Sequence, residues 1–192
     1  MSKLSEAFAK IDQANSADPN QEIVDGQATP KELIYGQRMS ATLDGFEPNA
    51  SEALQIAARA QHICRWESPR DSYPMDRVGY LKWRADLKKF HAAKASEILE
   101  NIGYDTETIE RVSFLLQKKK LKKDEGTQIL EDVICLVFLN FYYEDFLAKH
   151  EDHKVIDILQ KTWRKMSEKG HNAALQLNFS SKGLELIQKA LA

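Results

Sequence analysis

Helix-start signals recur along this chain while strand patterns are nearly missing, and that imbalance constrains the fold more than any other feature. Thr29-Pro30-Lys31-Glu32 sets an N-cap threonine before proline at the first helical position and glutamate at the third. Asn49-Ala50-Ser51-Glu52 repeats the logic ahead of the apolar positions Leu54, Ile56, Ala57 and Ala60. The pattern from Asp76 to Ile102 predicts a long helix that turns Leu87, Phe90, Ile98 and Leu99 inward and ends at Gly103. Asp105 starts another helix through Leu116. Residues 128–146 are apolar on nearly every side and mark the most central helix. Two further helices are expected at 152–168 and 180–191.

The fold class that follows is all-α: one helical bundle of about seven or eight helices over residues 1–192, with 151–192 as a more loosely packed C-terminal hairpin. Residues 15–20 read as a loop after a short first helix. The stretch 67–75, holding Pro69 and Pro74, reads as a polar ordered loop. No internal repeat is evident. An apolar content of 43% excludes general disorder, and a net charge of −2 excludes a whole-protein polyanion-binding role. The apolar run 133–143 falls short of the roughly 20 residues a membrane span needs. Cys64 and Cys135 lie in apolar contexts without a disulfide framework, and the N-terminus lacks a secretion pattern. A soluble, cytoplasmic protein with no membrane partner is expected.

Asp132 shares a helical face with Ile129, Cys135 and Leu136, where a carboxylate is seldom buried without a partner. Either a salt bridge that fixes helix register or a functional site satisfies it, and Glu131 is its neighbour. His62 sits among Arg59, Arg65 and Trp66, and His91 lies on or beside an apolar face. A lone histidine of this kind is most often a hydrogen-bonded core residue. Two of them together with a buried carboxylate also suit a divalent metal.

The order His62, His91, Asp132 resembles that of the HD-domain phosphohydrolases, an all-helical superfamily. The resemblance implies an HD-like helical arrangement and a divalent metal (Mn, Mg, Fe or Zn) on His62, His91 and Asp132. It also implies Glu131 or Glu67 as the acid–base residue. Ala92 stands where that superfamily pairs aspartate with its histidine. The block Arg65-Trp66-Glu67-Ser68-Pro69-Arg70, Tyr73-Pro74, Arg77, Gly79-Tyr80-Leu81-Lys82-Trp83-Arg84 and Phe90-His91-Ala92 resembles an uncharacterised bacterial and fungal family. Members of that family are sometimes labelled glutamyl-tRNA synthetase. An autonomous synthetase is not expected here, because His62-Ile63 continues as Cys64-Arg65 and no parallel-strand nucleotide fold is signalled.

From Arg59 to Lys94 nine Lys or Arg face four Asp or Glu, interleaved with Trp66, Tyr73, Tyr80 and Trp83. Arg59, Arg65, Arg70, Arg77 and Arg84, with Trp66, are therefore candidate substrate contacts, through phosphate grip or ring stacking. Structural pairing with nearby acids is the competing reading for each arginine. Lys119 lies in the run 118–123, which also reads as a solvated helix C-terminus. Two functions fit these residues. One is a divergent HD-like metal-dependent phosphohydrolase acting on a nucleotide or another phosphorylated small molecule. The other is a non-catalytic nucleotide- or RNA-binding helical module.

Overall fold

The computed structural model describes residues 2–192, and most of them are helical. They form two compact units, one running through Lys119 and one spanning Lys120–Ala192. Among the described residues no helix is long and apolar enough to cross a membrane.

The first unit holds α1 (Lys3–Asn15), a hairpin of β1 (Gln21–Val24) and β2 (Gln27–Pro30), α2 (Lys31–Phe46), α3 (Glu52–Arg59), α4 (Arg77–Ile102) and α5 (Thr106–Leu116). The helix starts expected at Asp76 and Asp105 are in place, each side chain accepting a first-turn backbone N–H. The box expected from Asn49 to Glu52 is shifted: Ser51 is the N-cap, accepting the Leu54 N–H, and Glu52 opens α3. Gly103 ends α4 in the left-handed region at φ +85°. α4 packs against α1 and α5, and α3 packs against α1 and α5, which buries Ile11, Ile56, Leu99, Val112 and Leu115.

The hairpin departs from the near absence of strands expected above. Asp25 and Gly26 both take positive φ, +50° and +79°, as a two-residue type I′ turn requires. The antiparallel register pairs Gln21 with Pro30 and Val24 with Gln27. Its chain entry into α2 also differs from the capping box expected at Thr29. The helix begins at Lys31, and Pro30, at the cap position, offers no side-chain bond. Asp18 caps this helix from a distance, its carboxylate accepting the Glu32 N–H at 3.0 Å and the Asn20 N–H at 2.9 Å. Glu32 is thereby released from capping and turned to other work.

The second unit holds α6 (Glu125–Val137), α7 (Tyr143–Lys149), α8 (Asp152–Lys165), α9 (Glu168–Ala174) and α10 (Ser181–Leu191). The helix expected over 128–146 is interrupted by a π-helical turn at 138–142. Phe138 meets Tyr143 and Phe146 edge-on, and Tyr143 meets Phe179, so the aromatic run is packed inside this unit. The helix expected over 152–168 divides at Met166, where ψ of 155° breaks it and Ser167 caps α9.

A short recurrence explains the starts of α9 and α10. Ser167-Glu168-Lys169-Gly170 and Ser180-Ser181-Lys182-Gly183 each open a helix with serine as N-cap and glycine three residues on. Asp132 receives the Ser167 N–H and hydroxyl at 2.7 and 2.5 Å, and Glu144 receives those of Ser180 at 2.9 and 2.8 Å. Each carboxylate lies where a Cβ on the glycine would be, at 2.7 Å for Gly170 and 2.8 Å for Gly183.

Candidate functional site

In the first unit, α3 ends at Arg59 and the chain reverses through 60–64. Cys64 takes a left-handed conformation at φ +51°, uncommon for a side-chain-bearing residue. The buried Asn15 holds it there, its amide oxygen accepting the Cys64 N–H at 3.0 Å. This reversal brings His62 and Arg65 to one place. Trp83 anchors the following loop, its indole N–H donating to the Ser68 carbonyl at 2.9 Å.

His62 is the centre of the site. Its ring stacks on Tyr35 at 3.9 Å between centroids, and its Nδ1 lies 3.2 Å from Glu32 Oε2. An Arg65 guanidinium nitrogen sits 3.1 Å from Nε2. The same nitrogen lies 3.3 Å from Nδ1, so Arg65 spans both ring nitrogens. With Glu32 ionised, Nδ1 donates to its carboxylate and the lone pair falls on Nε2. The side chains are largely buried, with 18% of His62 and 9% of Glu32 exposed.

Burial decides the charge of this pair. It pushes the Glu32 carboxyl up to about 7, against the opposing pull of Arg65 and Lys31. Burial also holds His62 well below the usual imidazole range, and Arg65, Arg84, Lys118 and Lys31 push it further down. His91, whose ring centroid is 6.0 Å from that of His62, is lowered to about 3, first by burial and then by His62. Its Nδ1 donates to the Ile63 carbonyl at 2.8 Å, so its Nε2 also carries a lone pair. Both imidazoles are neutral near pH 7, among cations that disfavour further positive charge.

Beside this pair opens a cleft of about 510 Å³ whose walls include Lys31, Glu32, Arg65, Trp66, Arg70 and Trp83. Its volume lies in the range of small-molecule sites. Lys31 and Arg65 have no carboxylate within ion-pair distance among the described residues, whereas Arg38, Arg59 and Lys94 are paired with Glu22, Asp12 and Glu67. The cleft therefore presents two cations outside ion pairs next to the Glu32–His62 pair.

The residues singled out from sequence divide accordingly. His62, His91 and Arg65 come together, and Trp66 and Arg70 line the cleft. Arg70 spends its donors on the carbonyls of Tyr73, Pro74 and Asp76, which pins the loop and the start of α4. Arg59 grips Asp12 through two bonds and is structural. Arg84 acts on His62 through charge, while Arg77 and Lys119 are exposed. Glu67 pairs with Lys94 at 2.9 Å and does not line the cleft.

Asp132 and Glu131 belong to the second unit and are buried there. Asp132 spends both oxygens on Ser167, and Oδ1 also accepts from Gln128 Nε2 at 3.1 Å. Glu131 has Lys165 at 3.8 Å. His62 and His91 carry the tautomers that suit metal ligation. Among the described residues, however, no group of three or more His, Cys, Asp or Glu is placed to hold a metal ion. His62 and His91 belong to the first unit and Asp132 to the second.

Glu32, Lys31 and Lys118 escaped the sequence reading as site residues. The capping-box context of Glu32 concealed it, since His62 lies 30 residues away.

A family model described as "Domain of unknown function (DUF4202)" matches residues 5–187. The chain belongs to the DUF4202 family. The DUF4202 match spans both units, so the cleft and the Ser-x-Lys-Gly helix starts all lie within the family domain. No curated protein and no solved structure matches the chain.

Proposed function

We propose that the first unit binds a phosphorylated small molecule and hydrolyses its phosphoester. The observation that carries this reading is the Glu32–His62 pair, its carboxyl raised to about 7 and its imidazole neutral, beside a cleft that Lys31 and Arg65 line. Lys31 and Arg65 would grip the phosphoryl oxygens, and the guanidinium fork suits two of them at once. Drawn toward the ligand, Arg65 would leave Nε2 of His62 free to take a proton from water as the water oxygen bonds to phosphorus and the ester P–O bond breaks, and the imidazolium would return that proton to the departing alkoxide. Glu32, on the opposite ring nitrogen, would orient the imidazole and balance the imidazolium formed. Arg65, Arg84 and Lys118 would stabilise charge developing on the phosphoryl group.

The phosphohydrolase class expected from the HD resemblance is kept as part of this proposal, together with an HD-like helical arrangement and a cytoplasmic setting. The catalytic residues are reassigned to Glu32 and His62. A nucleotide- or RNA-binding module without turnover would use the same cations, and the test separates the two.

Phosphate release from a panel of phosphomonoesters is the deciding experiment, with the wild-type chain, Glu32→Gln and His62→Gln. Release by the wild type and a loss of about 100-fold or more in each variant is expected, the scale of a general base. Tight binding of the same esters without release, in wild type and variants alike, would overturn hydrolysis in favour of the binding module.

A further inference from the structure

The three tryptophans differ in what they touch. The Trp83 indole N–H donates to Ser68, and Arg65 and Arg70 lie over its ring at 5.3 and 5.9 Å. Trp163 lies parallel to His171 at 4.3 Å between centroids. Trp66 has no hydrogen bond, ring contact or cation contact with any described residue. It is half-buried and lines the same cleft as Lys31 and Arg65. Tryptophan carries a large apolar face and a single N–H donor, and in folded proteins both usually find partners. A half-buried tryptophan whose N–H has no acceptor and whose ring has no aromatic or cationic neighbour, on the wall of a cationic cleft, is a surface awaiting a partner.

We infer that Trp66 is the platform for a flat ring on the ligand, which narrows the ligand to nucleoside phosphates, with the base on Trp66 and the phosphate on Lys31 and Arg65. This rests on the phosphate-site reading above. Every nucleobase has a π-face, so a single tryptophan serves purines and pyrimidines alike. Asn20, also on the cleft wall, commits its amide nitrogen to Asp18 at 2.8 Å. Its amide oxygen remains as an acceptor for an exocyclic amine or a ribose hydroxyl. The 3₁₀ turn at 65–67 places Arg65 and Trp66 side by side in the chain, so phosphate and base contacts come from adjacent residues.

Calorimetric titration of the full chain with AMP, CMP, ribose 5-phosphate and inorganic phosphate tests the inference, in wild type, Trp66→Ala, Trp66→Phe and Arg65→Ala. Base stacking on an aromatic side chain contributes roughly 5- to 150-fold in affinity. AMP and CMP are therefore expected to bind about tenfold or more tightly than ribose 5-phosphate. Trp66→Ala should erase that advantage while leaving ribose 5-phosphate affinity unchanged, which also shows that the variant is folded. Trp66→Phe should retain most of it. Equal affinity of the wild type for AMP and ribose 5-phosphate, or an equal loss of both in Trp66→Ala, would overturn the inference while leaving the phosphate site intact. Failure of all four compounds to bind would overturn the phosphate site and this inference together.

Discussion

Ser167 donates both its backbone N–H and its hydroxyl to the carboxylate of Asp132, at 2.7 and 2.5 Å, and so ties the start of α9 to the middle of α6. This contact answers why a carboxylate lies buried on an apolar helix face: its charge is met by the first turn of another helix and by charge-assisted hydrogen bonds. Asp132→Ala leaves both donors without that acceptor and is expected to destabilise the protein by about 2–4 kcal/mol. Urea denaturation measures it. A loss below the usual surface value of about 0.5 kcal/mol would contradict this role.

Gly170 and Gly183 occupy equivalent places in the two helix starts but should not respond equally. A methyl group at Gly170 meets the buried, short Asp132 side chain at 2.7 Å, and one at Gly183 meets the flexible end of Glu144 at 2.8 Å. Gly170→Ala is expected to cost about 1–3 kcal/mol, as overpacking does, and Gly183→Ala less. Thermal unfolding of the two variants checks the order.

Stability should depend on pH through Glu32 and His91 in opposite senses. The carboxyl of Glu32, at about 7 when folded against 4.5 ordinarily, gives the native state the larger proton uptake between those values. Its contribution is thus favourable at low pH and is lost as pH rises through 7, with a scale of about 3 kcal/mol. Lowered from 6.5 to about 3, His91 contributes stability above 6.5 that is lost as pH falls toward 3. Glu32→Gln should remove the alkaline limb of the urea midpoint against pH and raise stability at pH 8. An unchanged alkaline limb in Glu32→Gln would contradict the assignment.

Arg59 and Arg65, six residues apart, should separate stability from binding. Loss of the two-bond pairing with Asp12 in Arg59→Ala is expected to cost about 1–2 kcal/mol and to leave phosphate affinity unchanged. Arg65→Ala should change stability by less than about 1 kcal/mol, since the ring contact with Trp83 is the main loss to the fold. Its phosphate affinity should fall at least tenfold. Chemical denaturation and phosphate titration on the same samples make the comparison.

Ala92 is 3% exposed on α4, beside His91. Ala92→Asp, which would supply the aspartate of the proposed HD pairing, buries a carboxylate and is expected to destabilise by about 3 kcal/mol or more. Denaturation with and without manganese tests it. A variant as stable as the wild type would show that the site has room for the missing aspartate.

What the sequence made legible was local. Helix starts at Asp76 and Asp105 and the stop at Gly103 depend on residues within one turn, and they stand where the pattern placed them, while the α3 cap falls on Ser51, two residues past Asn49. The hairpin was signalled by Asp25-Gly26, but Gln21–Val24 and Gln27–Pro30 lack the alternation that usually marks strands. Asp132 was recognisable as a buried carboxylate, yet its partner Ser167 lies 35 residues downstream. Glu32 was concealed most completely. It looked like part of a capping box because nothing local shows that Asp18, 14 residues upstream, takes over the cap. Nor does anything local show that His62, 30 residues downstream, receives the side chain.

The most direct measurement of the central claim is the histidine side-chain 15N NMR spectrum of the full chain during addition of inorganic phosphate at pH 7. Phosphate drawn to Lys31 and Arg65 is expected to shift the His62 ring signals, with Nδ1 still carrying the proton donated to Glu32 and Nε2 altered by withdrawal of Arg65. The signals of His150, His153 and His171 should stay in place, and Arg65→Ala should abolish the His62 response. Unmoved His62 signals at tens of millimolar phosphate would contradict the assignment of this cleft as a phosphate site.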